Sequence, residues 1–305
     1  DRCKQHWSGA SRMSFQVTEA FLMSYGSNVR LLAQQKASRL RGAVTVEPGV
    51  RGKRHYMDYV GSVSASKITN RHGDSPLNST PHSRRAIDLA GYDTGDLIDD
   101  IDKVRILDDM SSSYTQAHGA AMGRSIDDVI IECLFADARA GEEGGSTVTF
   151  PAGNQIAVNS WAYGTGSGNA GLTISKLIEA KVKLDGAEAG VDPDEPRFIA
   201  CSAKQIGNLL ATTETTSSDY NNVKALVEGK IDKFRTERLA VDGSSYRRVA
   251  AWCKSAIGLA IGADIENQVT KRADKRFSWY AYFKMFIGAS RLEETKLIEI
   301  KCLES

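Results

Sequence analysis

The sequence predicts an α+β fold, on three observations. A proline-free stretch from residue 111 to about 140 carries one apolar stripe at helical spacing, formed by Ile126, Val129, Ile130, Cys133 and Leu134. Three strand-like runs, Tyr246–Cys253, residues 277–287 and Leu297–Leu303, close the chain. Helices and strands otherwise mix along the chain, with no internal repeat.

The N-terminal region begins with polar, unpatterned residues 1–12, which read as an extension ahead of a start at Met13, or alternatively as an arm that orders on assembly. Val29, Leu32, Ala33, Lys36, Ala37 and Leu40 then recur at helical steps, with Gly42 as the stop. Residues 43–47 and 51–60, joined by Pro48-Gly49, read as a β-hairpin. The hairpin region is basic, with Arg39, Arg41, Arg51, Lys53, Arg54 and His55 against Glu47. Residues 67–85 are irregular and long enough to suggest a functional segment or one lying across a partner. The acidic run that follows sets Asp88, Asp93, Asp96, Asp99, Asp100, Asp102, Asp108 and Asp109 against Lys103 and Arg105.

The long helix is capped by Ser111 to Ser113 and spans about 45 Å at a rise of 1.5 Å per residue. Gly119 and Gly123 within it mark a kink or a close neighbour. A Gly/Ser/Asn-rich stretch (141–171) holds loops and short strands, including residues 147–150. Thr173 caps a helix carrying Ile174, Leu177, Ile178 and Leu184; Arg197–Cys201 forms a strand; Ser202 caps a short helix and Ser218 another.

Composition narrows the function. With 305 residues, 41% apolar and 25% charged, the chain is an ordinary globular protein, and a net charge of +1 argues against gripping nucleic acid by bulk charge. Cys3, Cys133, Cys201, Cys253 and Cys302 are scattered and odd in number, which suits reduced thiols in a cytoplasm. The most apolar stretch, residues 277–289, is too short to span a bilayer and contains Lys284.

Candidate catalytic motifs fail on context. Gly166-Ser-Gly168-Asn-Ala-Gly171 matches a dinucleotide fingerprint in form, but lacks a buried strand before it and an acid after the next one. Gly52-Lys53 lacks the rest of a phosphate loop. His72, Asp74 and His82 lack the spacing of metal ligands. No serine sits in a nucleophile elbow, and the aspartate run lacks the pattern of a calcium loop. The aromatic run Phe277, Trp279, Tyr280, Tyr282, Phe283 and Phe286 fits a buried strand better than a base-stacking surface. No catalysis and no cofactor or metal is expected.

Several stretches together carry a resemblance. Residues 71–85 (RHGDSPLNSTPHSRR), 96–103 (DLIDDIDK), 121–130 (AMGRSIDDVI), 216–227 (TSSDYNNVKALV), 235–239 (RTERL) and 288–301 (GASRLEETKLIEIK) resemble a family of tailed-phage major capsid proteins, including that of the short-tailed Bordetella phage. The resemblance runs in order from Met13 onward. It also implies a longer apolar strand ahead of Arg235 than the few residues that separate Gly229 from it.

The resemblance implies the Hong Kong 97-type capsid fold, with these expected parts: residues 1–41 the extension and arm, 42–66 the protruding hairpin, 67–145 the extended segment and spine helix, 146–262 mainly the axial domain, and 263–305 the last strands of the peripheral sheet. The implied function is self-assembly into pentamers and hexamers of an icosahedral head around double-stranded DNA, in a virion made in a bacterial cytoplasm. Scaffold, portal and cementing or decoration proteins are the implied partners. An encapsulin-like nanocompartment shell is the alternative. The charge pattern suggests an intersubunit contact in which Arg51, Lys53 and Arg54 of one copy meet Asp96, Asp99, Asp100 and Asp102 of the next.

Overall fold

The computed structural model describes residues 35–67, 77–98, 110–189, 195–210 and 231–304. Strands are β1 (Thr45–Pro48), β2 (Arg54–Val60), β3 (His82–Asp88), β4 (Ala90–Ile98), β5 (Ala138–Ala140), β6 (Ser146–Val148), β7 (Gln155–Ile156), β8 (Arg197–Cys201), β9 (Ile231–Arg235), β10 (Tyr246–Cys253), β11 (Ile257–Arg272), β12 (Ser278–Arg291) and β13 (Leu297–Leu303). Helices are α1 (Met110–Phe135), α2 (Ile174–Gly186) and α3 (Ala203–Leu210). The strands form three sheets, ordered β1-β11-β12-β4, β7-β13-β10-β8-β9 and β2-β3-β5-β6.

Helix α1 lies across the first sheet, packing on β12, β4 and β11. Its stripe is buried as the periodicity requires, with Ile126, Ile130 and Leu134 all at 2% exposure or less, over Phe283, Met285 and Ile287 of β12. The helix ends at Phe135, short of the expected residue 140, and its 26 residues span about 39 Å. What stops it is Arg291, fully buried, whose guanidinium donates to the Leu134 and Ala136 carbonyls at 3.3 and 2.7 Å. Ala138–Ala140 then turns into β5. The helix is described from Met110, so Ser111 to Ser113 lie within its backbone and not ahead of it.

The five-stranded sheet follows the sequence closely. β8 is buried along its whole length and pairs antiparallel with β10 and parallel with β9. Thr173 caps α2, accepting from the Lys176 amide. Ser202 and Gln205 form a reciprocal capping box on α3, each side chain accepting from the other's amide, at 3.4 and 2.8 Å. The short run before Arg235 does form a strand: β9 is five residues long and fills the edge. Residues 161–171, with the glycine motif, form turns and bends at the surface, held by the Trp161 Nε1 bond to Gly168 O.

Three expectations are corrected. Residues 43–60 are not a hairpin, because β1 pairs parallel with β11 while β2 pairs antiparallel with β3. The positive φ of Gly49 and Gly52 turns the chain from one sheet into another, and the antiparallel pair is β2–β3, closed around residues 61–81 by Gly61 N donating to Pro81 O. The last strands do not share one sheet either: β13 pairs with β10 and β7, while β12 lies between β11 and β4. Residues 35–40 are not helical, since the amides of Arg39 and Leu40 donate to the Asp127 carboxylate and not to carbonyls four residues back. The expected arm before residue 35, the helix capped by Ser218, and His72 and Asp74 lie outside the described residues.

Candidate assembly surfaces

The basic segment sits where two sheets meet. Val50 N donates to Ile261 O at 3.0 Å, and Leu89 N to Lys53 O at 2.9 Å, which ties the turn between β1 and β2 to the start of β4. Arg51 and Lys53 are exposed on this turn and form no ion pair with a described residue. Arg54 differs. Its Nε lies 2.5 Å from Asp88 Oδ1, and its Nη1 donates to Glu143 O at 3.0 Å. The registered pair Arg54–Asp88 therefore sets the Arg54 charge against a carboxylate of its own chain, unlike Arg51 and Lys53. The Arg54 hydrogen bond holds the Asp88 carboxyl below the ordinary carboxylate range, with Arg139 at 3.2 Å adding to it.

Of the acidic run, Asp88 ends β3, and Asp93 and Asp96 lie on β4, at the edge of its sheet among the described strands. Asp93 is exposed and accepts from the Tyr282 hydroxyl at 3.3 Å; Asp96 is half-buried and accepts from the Leu97 amide at 2.8 Å. Asp99, Asp100 and Asp102 lie outside the described residues. Leu89 and Asp96 are seven steps apart on an extended chain, or about 23 Å. The Lys53 turn and the acidic end of β4 thus stand at opposite ends of one strand and do not meet within one copy.

The sequence did not disclose why β4 accepts two glycines. A Cβ at Gly91 would sit 2.9 Å from the Phe286 ring, and one at Gly95 would sit 2.6 Å from the Tyr280 hydroxyl. Aromatic rings from β12 cover both, so the run reads as charge and glycine locally but folds as a strand. The aromatic run is correspondingly two-sided: Ala281, Phe283 and Met285 are buried under α1, while Phe286 is 46% exposed. The β11–β12 hairpin was also hidden, because residues 262–272 are largely polar. At its tip Arg276 and the exposed Phe277 both take left-handed φ, at 51° and 59°, a costly backbone for non-glycine residues. Lys271 and Arg272 stack over Trp279 and Tyr280.

Among the described residues no group of three His, Cys, Asp or Glu side chains is placed to hold a metal ion, and no helix is long and apolar enough to cross a membrane. Cys133, Cys201, Cys253 and Cys302 are buried.

A long helix across a four-stranded sheet, a separate five-stranded sheet with its own helices, and an antiparallel pair extending from a third sheet define the Hong Kong 97-type class of shell-forming proteins. Solved structures agree. The capsid of cyanophage P-SCSP1u matches with a TM-score of 0.69 and 17% identity over 95% of each chain. The capsid of Ralstonia phage GP4 matches with 0.70 and 11%, over 97% of this chain and 99% of that one. The head of Helicobacter pylori bacteriophage KHP40 matches with 0.66 and 9%, over 96% and 99%. No curated protein matches in sequence. The chain belongs to the phage capsid protein family, whose model matches residues 17–304. It is a capsid protein that associates with itself in the shell of a virion.

Proposed function

We propose that this chain is the major capsid protein of a tailed phage, forming pentamers and hexamers that close an icosahedral shell around packaged double-stranded DNA. The family match along nearly the whole chain carries this reading. Scaffold, portal and cementing or decoration proteins complete the head, and the chain is made in the bacterial cytoplasm without catalysing a reaction itself. An encapsulin-like compartment of the same fold is disfavoured, because the matching family and the solved relatives named above are phage capsids. In domain terms, α1 serves as the spine, its four-stranded sheet as the peripheral domain, the five-stranded sheet as the axial domain, and β2–β3 as the protruding pair.

The contact between copies is electrostatic in part. Arg51 and Lys53 are exposed at one end of β4, and Asp96, which Asp99, Asp100 and Asp102 follow in sequence, lies about 23 Å away at the other. Identical subunits related by rotation bring opposite ends together, and a heterologous contact of this kind closes rings. Complementary charge there selects register more than it adds affinity. The test is Arg51→Glu with Lys53→Glu in the full chain, imaged by electron microscopy. Assembly should stop, and adding Asp96→Lys, Asp99→Lys and Asp100→Lys should restore it. Normal shells from the basic-side reversal alone would refute the contact.

A further inference from the structure

The segment of residues 35–39 is held to the body mainly by one carboxylate. Asp127, fully buried on α1, accepts at Oδ1 from the Ser38 hydroxyl at 2.6 Å and from the Arg39 and Leu40 amides at 3.1 Å each. Its Oδ2 accepts from the Arg39 amide at 3.0 Å and from the Gln35 side chain. Two consecutive backbone amides and a hydroxyl converging on one anion make a concave nest. One turn earlier on the same helix, Arg124 donates to Gln35 O at 3.1 Å. Gly123 leaves room for the crossing: a Cβ there would lie 2.9 Å from Ser38 N and 3.0 Å from Ala37 Cα. Gly123, Arg124 and Asp127 therefore form a clasp on one stripe of α1.

What the clasp holds contributes nothing to the apolar core. Lys36, Ala37 and Arg39 are exposed, and core burial begins only at Leu40, followed by Ala43 and Val44. The Trp252 indole fixes the backbone just beyond, donating to Ala43 O at 2.9 Å. Beyond the clasp, the Arg39 guanidinium donates to Arg235 O at 2.6 Å, an exposed contact. A segment held by polar contacts next to one held by burial opens at far lower cost than the body unfolds.

We infer that residues 35–39 are a strap with two states, latched by Asp127 and hinged at Leu40. Closed, it lies against α1; open, residues 35–39 swing free of that helix. Uniform assembly requires the closed state, a consequence that rests on the self-association proposed above.

The test uses the full-length chain with Asp127→Asn and, separately, Gly123→Ala, followed by hydrogen exchange and electron microscopy. Asparagine keeps the shape but loses the charge and presents donors to donors. Alanine favours the helix itself and disturbs only the crossing backbone. Both variants should speed exchange of the Arg39 and Leu40 amides by about 10- to 100-fold, the factor set by losing charge-assisted hydrogen bonds. Exchange in β10 and β13 should not change, and both variants should give irregular particles where the unmodified chain gives uniform ones. Unchanged protection at Arg39 and Leu40, or faster exchange throughout the chain, would overturn the latch. An open strap with uniform particles would overturn its role in assembly. If the unmodified chain forms no particles even when co-expressed with a scaffold, the self-association reading fails, while the exchange data still decide the latch.

Discussion

Replacing Arg291 with methionine removes the group that ties the end of α1 to the strands beside it. The guanidinium is fully buried and donates to Leu134 O, Ala136 O and Val148 O at 3.3, 2.7 and 2.9 Å, and to Glu294 at 3.4 Å. It also lies 5.3 Å from the centre of the Phe150 ring. Without it, two carbonyls at the helix end and one on β6 lose their donor. Each orphaned buried acceptor costs about 1–3 kcal/mol, and breaking a buried ion pair from one side costs about 3–5 kcal/mol in all. Glu294 is partly compensated, because Arg85 reaches its two oxygens at 2.9 and 2.8 Å. Methionine also fills most of the volume, so the expected loss is about 3–4 kcal/mol, the lower part of the combined range. Lysine keeps the charge but cannot span the acceptors, and about half that loss is expected. Urea unfolding of the unassembled chain, followed by tryptophan fluorescence, to which buried Trp252 contributes, reads the difference as a shift in midpoint. A loss below about 1 kcal/mol for Arg291→Met would refute the assignment of Arg291 as the helix stop.

Backbone crowding gives a second prediction: a Cβ at Gly288 would sit 2.2 Å from Asp88 O, so Gly288→Ala should cost more than about 2 kcal/mol in the same urea assay, and a neutral effect would contradict the packing of β12 against β3. The thiols give a third. Burial pushes Cys133 and Cys302 up to about 12 and Cys253 up to about 11, so at mildly alkaline pH an alkylating reagent should modify none of the four described cysteines until the chain is unfolded; mass spectrometry showing fast labelling of Cys133 would disprove its burial. The fourth concerns pH. Hydrogen bonds from Arg84, Arg54 and Arg41 hold Asp58, Asp88 and Asp264 below the ordinary carboxylate range. Carboxyls depressed on folding stabilise above their unfolded value of about 4, and that contribution is lost as pH falls through the folded value. The urea midpoint should therefore hold from about pH 7 to about pH 5 and fall below about pH 4, less steeply in high salt; a midpoint that rises on acidification would contradict the pairings.

The elements legible in the sequence are those whose burial is simple. β8, β10 and β13 appear at their predicted residues, because apolar runs buried on both faces leave an unambiguous pattern. The cap at Thr173 worked for the same local reason. Where distant residues decide the structure, local pattern failed. The helical spacing through Leu40 was overruled by Asp127, 87 residues away. β4 read only as part of an acidic run, with no strand signal, because its glycines are covered by rings from β12. The candidate surface was half legible: the signs of its charges are plain in the sequence, and exposed Arg51 and Lys53 remain available. That Arg54 is taken by Asp88 depends on β2 pairing with β3, which the Pro48-Gly49 turn signal concealed.

Electron microscopy of the purified full-length chain expressed alone, with light scattering for particle mass, tests the central claim most directly. Self-association into a shell predicts closed particles, rings or tubes far heavier than the 33.2 kDa chain. A homogeneous monomer or dimer that stays small even when co-expressed with a scaffold would contradict it.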